Sequence, residues 1–194
     1  MSGTDSVISA IDECLACVDG LRAEVDGIDA VCNAVVESLK RGSKVLTAGN
    51  GGSAAEAMHM AEELVGRFRN DRVSLPAVAL VADGTALTCI GNDYGFESLF
   101  SRQVDGLGKS GDVLVVFSTS GNSLNLVRAV ESAKSVGVIT VGLLGRGGGA
   151  MAGMCDFEVV VEGSSTERIQ EAHQLLLHII LDRVEHEFGA DVEV

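Results

Sequence analysis

The chain has 194 residues, 46% of them hydrophobic and 22% charged, a composition that fits an ordinary globular domain and excludes a disordered, collagen-like or coiled-coil chain. A net charge of −14 makes it a poor electrostatic partner for nucleic acid or for an anionic membrane surface. Mean hydropathy is positive, but no apolar run reaches the ~20 residues of a membrane span; residues 1–9 lack the basic and apolar regions of a signal peptide, so the expected location is the cytoplasm.

Residues 5–41 read as two amphipathic helices. Val7, Ile11, Leu15 and Val18 recur at helical spacing, as do Val31, Val35, Val36 and Leu39, and Gly20 and Asp26-Gly27 punctuate between them. After Gly42 short apolar runs alternate with Gly/Ser turns and helical stretches. Strands are predicted over 44–48, 77–81, 113–117, 139–144 and 157–161, and helices over 54–69, from 124 to about 136 and from about 165 to 188. Strands this apolar are buried on both faces, and alternation with helices predicts an α/β fold with a doubly wound, parallel five-stranded sheet. Residues 1–41 then form a helical extension that packs on the core or on a partner subunit, ahead of an α/β unit over 42–194. The five cysteines (Cys14, Cys17, Cys32, Cys89, Cys155) are odd in number and scattered, which is no disulfide framework; Cys14 and Cys17 sit in a helical pattern and read as packing residues.

Ligands of open α/β sheets bind at the carboxyl ends of the strands. Two predicted loops stand there. In Gly49-Asn50-Gly51-Gly52-Ser53 the glycines admit a ligand close to the backbone, and the following helix aims unpaired N–H groups at it. In Ser118-Thr119-Ser120-Gly121-Asn122-Ser123 four hydroxyls and backbone N–H groups at a helix start suit one phosphate group, without added charge. Either loop alone is explained by turn and capping chemistry; two after two parallel strands favour a phosphate ligand. The P-loop, G-x-G-x-x-G and G-x-S-x-G patterns are absent.

His59 and Glu63, spaced i, i+4, leave one helix face, where they can bind a divalent metal, pair as an acid with its orienting partner, or form a surface pair. Gln170, Gln174 and His178 form a polar line on the last helix beside the apolar stripe of Ile169, Ala172, Leu176, Ile179 and Val184. The rise from Gln170 to His178 is ~12 Å, so spacing alone establishes no metal site there. Gly91-Asn92-Asp93-Tyr94-Gly95-Phe96 reads as a turn whose amide and carboxylate suit sugar hydroxyls.

Taken together, the two loops, the helix Met58-His59-Met60-Ala61-Glu62-Glu63-Leu64, the 91–96 segment and Arg168-Ile169-Gln170-Glu171-Ala172-His173 resemble the phosphoheptose isomerases of the sugar isomerase (SIS) domain family, over nearly the whole chain. The resemblance implies a flavodoxin-like SIS domain over 42–194 and a cytoplasmic homotetramer that converts sedoheptulose 7-phosphate to D-glycero-D-manno-heptose 7-phosphate, the first step toward activated heptose. It implies that Ser118, Thr119, Ser120 and Ser123 hold the phosphate and that Asn50, Gly51, Gly52, Ser53, Glu63, Asn92, Asp93 and Gln170 line the sugar site. It further implies that His59, Glu63, Gln170 and His178 bind zinc, with Glu63 and His178 the acid–base pair. Two alternatives accompany it: a non-enzymatic SIS tetramer that binds the bacterial replication initiator, and an isomerase or lyase of another sugar phosphate. The presence of all four residues of the acid–base and metal set tells against the binder, and the length and single SIS unit favour the heptose isomerase over the other sugar-phosphate enzymes. Glu56 departs from the expected pattern, standing where a shorter acidic residue is usual.

Overall fold

The structure is a computed structural model that describes residues 3–189. Helices α1 (Gly3–Gly20) and α2 (Val25–Lys40) are followed by β1 (Val45–Gly49), α3 (Gly52–Val65), β2 (Ala77–Ala79), α4 (Gly84–Tyr94), α5 (Ser101–Leu107), β3 (Val113–Ser118), α6 (Leu124–Ser135), β4 (Ile139–Gly145), β5 (Phe157–Val161) and α7 (Thr166–Phe188). The strands form one sheet in the order β2-β1-β3-β4-β5, and every pairing is parallel.

The two-residue period of each strand divides the core. On one side Val45, Val113, Val115, Phe117, Val141, Leu143, Val159 and Val161 pack against α2, α3 and α7. On the other, Leu46, Ala48, Leu114, Val116 and Leu144 pack against α5 and α6. Fully burying each such side chain stabilises the fold by about 1.5–3 kcal/mol. β1 and β3 are adjacent, yet α3 follows β1 onto one face and α6 follows β3 onto the other. Their loops diverge at this switch point and leave a crevice between them.

Five local expectations change, the first being that β2 ends at Ala79 rather than at 81. Asp26-Gly27 does not separate the first two helices; it lies in the first turn of α2, and a 3₁₀ turn over Leu21–Glu24 makes the break. α3 ends at Val65 rather than 69, because Gly66 leaves the helical path and Arg72, from the following loop, donates to the carbonyls of Glu63 (2.6 Å) and Leu64 (2.9 Å). The 91–96 segment is no simple turn: residues 91–94 are the end of α4, which Asp83 starts by accepting hydrogen bonds from the N–H groups of Thr85 (2.9 Å) and Ala86 (3.0 Å). α5 was likewise unpredicted. Within the leading region the helices differ: α2 buries Val31, Cys32, Val35, Val36 and Leu39 in the core, whereas α1 leaves Val7, Ile8, Ile11 and Leu15 exposed and buries only Cys17.

Candidate active site

Asn50, Gly51, Gly52 and Ser53 from the loop after β1 face Ser118, Thr119, Ser120 and Ser123 from the loop after β3 across a cavity of about 250 Å³, which Phe117, Thr166 and Gln170 complete. A backbone turn with a φ of 58° at Gly51 brings the chain into α3. Gly121 adopts a φ of 63° with its would-be Cβ only 1.8 Å from the Gly148 carbonyl oxygen, so only glycine fits there. The Gly-rich segment after β4 buttresses the loop: Met151 N–H donates to the Gly121 carbonyl (3.0 Å) and Ala150 N–H to Asn122 Oδ1 (2.9 Å).

Within this cradle Ser118 Oγ accepts from Gly121 N–H (3.0 Å) and Ser120 Oγ from Asn122 N–H (3.2 Å), so both hydroxyl hydrogens are left to donate toward an anion. Ser123 precedes α6 without a side-chain capping bond, and the helix N-terminus behind it adds a favourable dipole. The Asn50 and Asn125 amides bond each other twice, at 2.9 Å both ways, tying the two loops together and committing part of the Asn50 amide.

A second depression, of about 350 Å³, continues from the first. It is lined by Gly52, Ala55, Glu56, His59, Gln170, Glu171 and Gln174, so Gly52 and Gln170 belong to both. At its far end His59 Nε2 lies 3.2 Å from Glu63 Oε1. His178 stands edge-on to His59 with ring centroids 5.3 Å apart and stacks on Phe68. Burial holds the His178 imidazole below the ordinary histidine range, and the neighbouring His59 adds to this while Glu63 opposes it. Along α3 the rise from Gly52 is about 10 Å to His59 and about 16 Å to Glu63. Helical side chains lean back toward the N-terminus, here toward the cradle.

Two half-buried imidazoles and a carboxylate form the nitrogen–oxygen donor set that a borderline ion such as zinc prefers, so these residues fit the metal the resemblance implies. Among the described residues no three His, Cys, Asp or Glu side chains are already gathered at coordinating range. Gln170 lies two turns before His178, its amide within 2.4 Å of where a Gly52 Cβ would be. The amide between the two imidazoles belongs to Gln174 instead, 2.8 Å from His59 Nδ1 and 3.1 Å from His178 Nε2.

Asn92 and Asp93 are exposed on α4, bonded to each other at 2.7 Å, and line neither depression of this chain. His173 points into the core, where it meets the Leu144 carbonyl at 3.2 Å and burial pushes its pKa down to about 4. Glu56 was noted in the sequence only as a departure. It is 6% exposed, both oxygens lack a hydrogen-bond partner, and burial raises its pKa to about 7, which the nearby Ser53 hydroxyl only partly offsets. Thr166 and Gln174 were missed as site residues. For Gln174 a signal existed, its place in the polar line with Gln170 and His178; for Thr166 none did beyond its position at a helix start.

The SIS domain family profile matches residues 11–145. A phosphoheptose isomerase of Campylobacter concisus is 52% identical over 161 residues, covering 83% of this chain and 85% of the relative. One from Nitratiruptor is 51% identical over 168 residues, covering 87% and 88%. The solved structure of phosphoheptose isomerase from Neisseria gonorrhoeae superimposes with a TM-score of 0.90 at 39% identity, over 95% of this chain and all of that one. That from Francisella tularensis gives 0.92 at 35% identity, over 96% of this chain and all of that one. With its parallel sheet, its hydroxyl-lined cradle and this degree of likeness along most of its length, the chain belongs to the phosphoheptose isomerases of the SIS domain family.

Proposed function

We propose that this chain isomerises sedoheptulose 7-phosphate to D-glycero-D-manno-heptose 7-phosphate, supplying the precursor of activated heptose. The observation that supports this most directly is the shared lining of the two depressions: Gly52 and Gln170 join a phosphate-sized cradle to a depression that reaches His59, whose ring meets Glu63 and His178. Phosphate bound by Ser118, Thr119, Ser120 and Ser123 anchors one end of the sugar. The chain then runs past Asn50, Gly51, Gly52, Ser53 and Gln170 toward His59.

The reaction moves a hydrogen between C1 and C2 through an enediol. A carbon acid beside a carbonyl needs a positioned base, and the growing charge on oxygen needs stabilisation. Glu63 removes the proton from one carbon and returns it to the other, while His178 exchanges protons with the substrate oxygens. His59, bonded to Glu63, orients that carboxylate. A zinc ion held by His59, Glu63, Gln170 and His178 would polarise the carbonyl and hydroxyl oxygens. Asn92 and Asp93, exposed on this chain, meet the sugar only if a neighbouring subunit brings them to the groove.

The assembly is a homotetramer in this reading. The exposed face of Val7, Ile8, Ile11 and Leu15 supports it, as does an adjoining groove of about 520 Å³ that includes Leu15, Leu21, Val25, Ile28 and Ile179. None of the described helices is long and apolar enough to cross a membrane, in keeping with a cytoplasmic location. Incubation of the purified protein with sedoheptulose 7-phosphate tests the function. The expected result is an aldose phosphate product, reduced by a chelator and restored by zinc; no aldose product under either condition refutes the assignment.

A further inference from the structure

The segment that braces the cradle loop carries a strained residue. Arg146, directly after β4, has a φ of 53°, the one positive φ outside glycine among the described residues. Gly147, Gly148 and Gly149 follow it with positive φ, and before it a Cβ on Gly145 would stand 2.7 Å from the Thr119 carbonyl oxygen. A side chain in this backbone region costs stability, and such strain collects at functional sites. Glycine would occupy the position freely. An exposed arginine stands there instead, and its Nη2 lies 3.1 Å from Thr166 Oγ1 and 3.4 Å from the Ser164 carbonyl oxygen.

Thr166 is in the first turn of α7 and lines the cavity together with Ser118, Thr119, Ser120 and Ser123. No side chain of that lining carries a charge. A guanidinium has donors only, so Thr166 Oγ1 accepts from Arg146 and its own hydrogen turns away from the arginine. That leaves the hydrogen for an acceptor in the cavity, and the bond from a cation polarises the hydroxyl into a stronger donor. We propose that Thr166 adds a further hydroxyl to the phosphate site and that Arg146 is its positioning residue, holding Oγ1 at the cavity wall. The guanidinium acts through the threonine, and Glu167, which interacts with it, offsets part of its charge. This inference rests on the reading of the cradle as the phosphate end of the isomerase site.

Single and double variants of the full chain test it, with calorimetric titration of inorganic phosphate as the first readout. Thr166→Val keeps the shape of the side chain and removes the hydroxyl. Arg146→Met keeps the stem and removes the donors; Arg146→Gly, which the backbone accepts without strain, serves if the methionine variant does not fold. Each single variant should weaken phosphate binding about tenfold, the worth of one hydrogen bond to a charged group. Because the arginine acts through the threonine, the double variant should also lose about tenfold, not the hundredfold of two independent contacts. In turnover KM should rise about tenfold with kcat within about twofold, a split that a merely structural role would not give. Unchanged phosphate affinity in either single variant, or a hundredfold loss in the double, overturns the proposal. The titration needs no turnover, so a chain that binds phosphate but makes no aldose loses the isomerase reading and still tests this pair.

Discussion

The hydroxyl-lined cradle and the imidazole cluster lie at the two ends of adjoining depressions but are built from different materials. The cradle is lined by glycines and short hydroxyls, carried on two loops that the β1–β3 pairing sets side by side. The cluster is made of long side chains on α3 and α7, brought together by helix packing. A cradle of this kind is held by backbone geometry and tolerates loss of one hydroxyl. A cluster of side chains depends on each member, because each orients the next.

The sharpest way to break this contrast is at Glu63. Glu63→Gln is expected to lower kcat by about 10³-fold, within the range for removal of a general base, while calorimetry still detects sugar-phosphate binding. Retained turnover would remove Glu63 from the chemistry. The corresponding break in the cradle is a backbone one. Gly121→Ala drives a Cβ into the Gly148 carbonyl from a φ of 63°, and about 3 kcal/mol of stability should be lost together with phosphate binding. The thermal midpoint measures the first effect and phosphate titration the second; a variant as stable as the parent would contradict the packing described.

Two buried titratable groups sharpen the contrast on the side of α3 and α7. Glu56 has its pKa raised to about 7, so its contribution is complete below its unfolded value near 4.5 and is lost as pH rises through 7. His173 has its pKa lowered to about 4, so its contribution is complete above its unfolded value near 6.5 and is lost as pH falls through 4. Shifts of this size correspond to about 3 kcal/mol each, and between pH 4.5 and 6.5 they oppose one another. Glu56→Gln is therefore expected to abolish the loss of stability between pH 5 and 8 and to expose the acid-side loss from His173. Denaturant unfolding across pH measures this, and a parallel pH profile in parent and variant would show that Glu56 is not the group responsible. The smallest effect is expected at Ser120. Ser120→Ala removes one hydroxyl donor among several and should raise KM about tenfold, the worth of one hydrogen bond to a charged group, with kcat little changed. An unchanged KM would place the phosphate elsewhere.

Much of this architecture is legible in local pattern. β5 was read with its observed bounds, and β3 and β4 to within one residue, because buried parallel strands are uninterrupted apolar runs between turn residues. The two Gly/Ser loops are legible as strand-end loops for a related reason, and only the structure shows that they line one cavity. α4 and α5 were not. They are short, with Asn92-Asp93 inside a glycine-flanked stretch that turn statistics favour, and α4, which buries none of its residues, is started by the Asp83 cap.

The amino-acid order alone dictates the alternation of strands and helices, the place of the anion cradle and the presence of His59, Glu63, Gln170 and His178 on two helices, because each follows from spacing within a few residues. It leaves open which amide meets the imidazoles. Gln170 and Gln174 lie on the same polar line, and only the packing of α3 against α7 puts Gln174 between the rings and Gln170 against Gly52. That choice depends on the distance and rotation between elements more than 100 residues apart in sequence, to which local periodicity is blind.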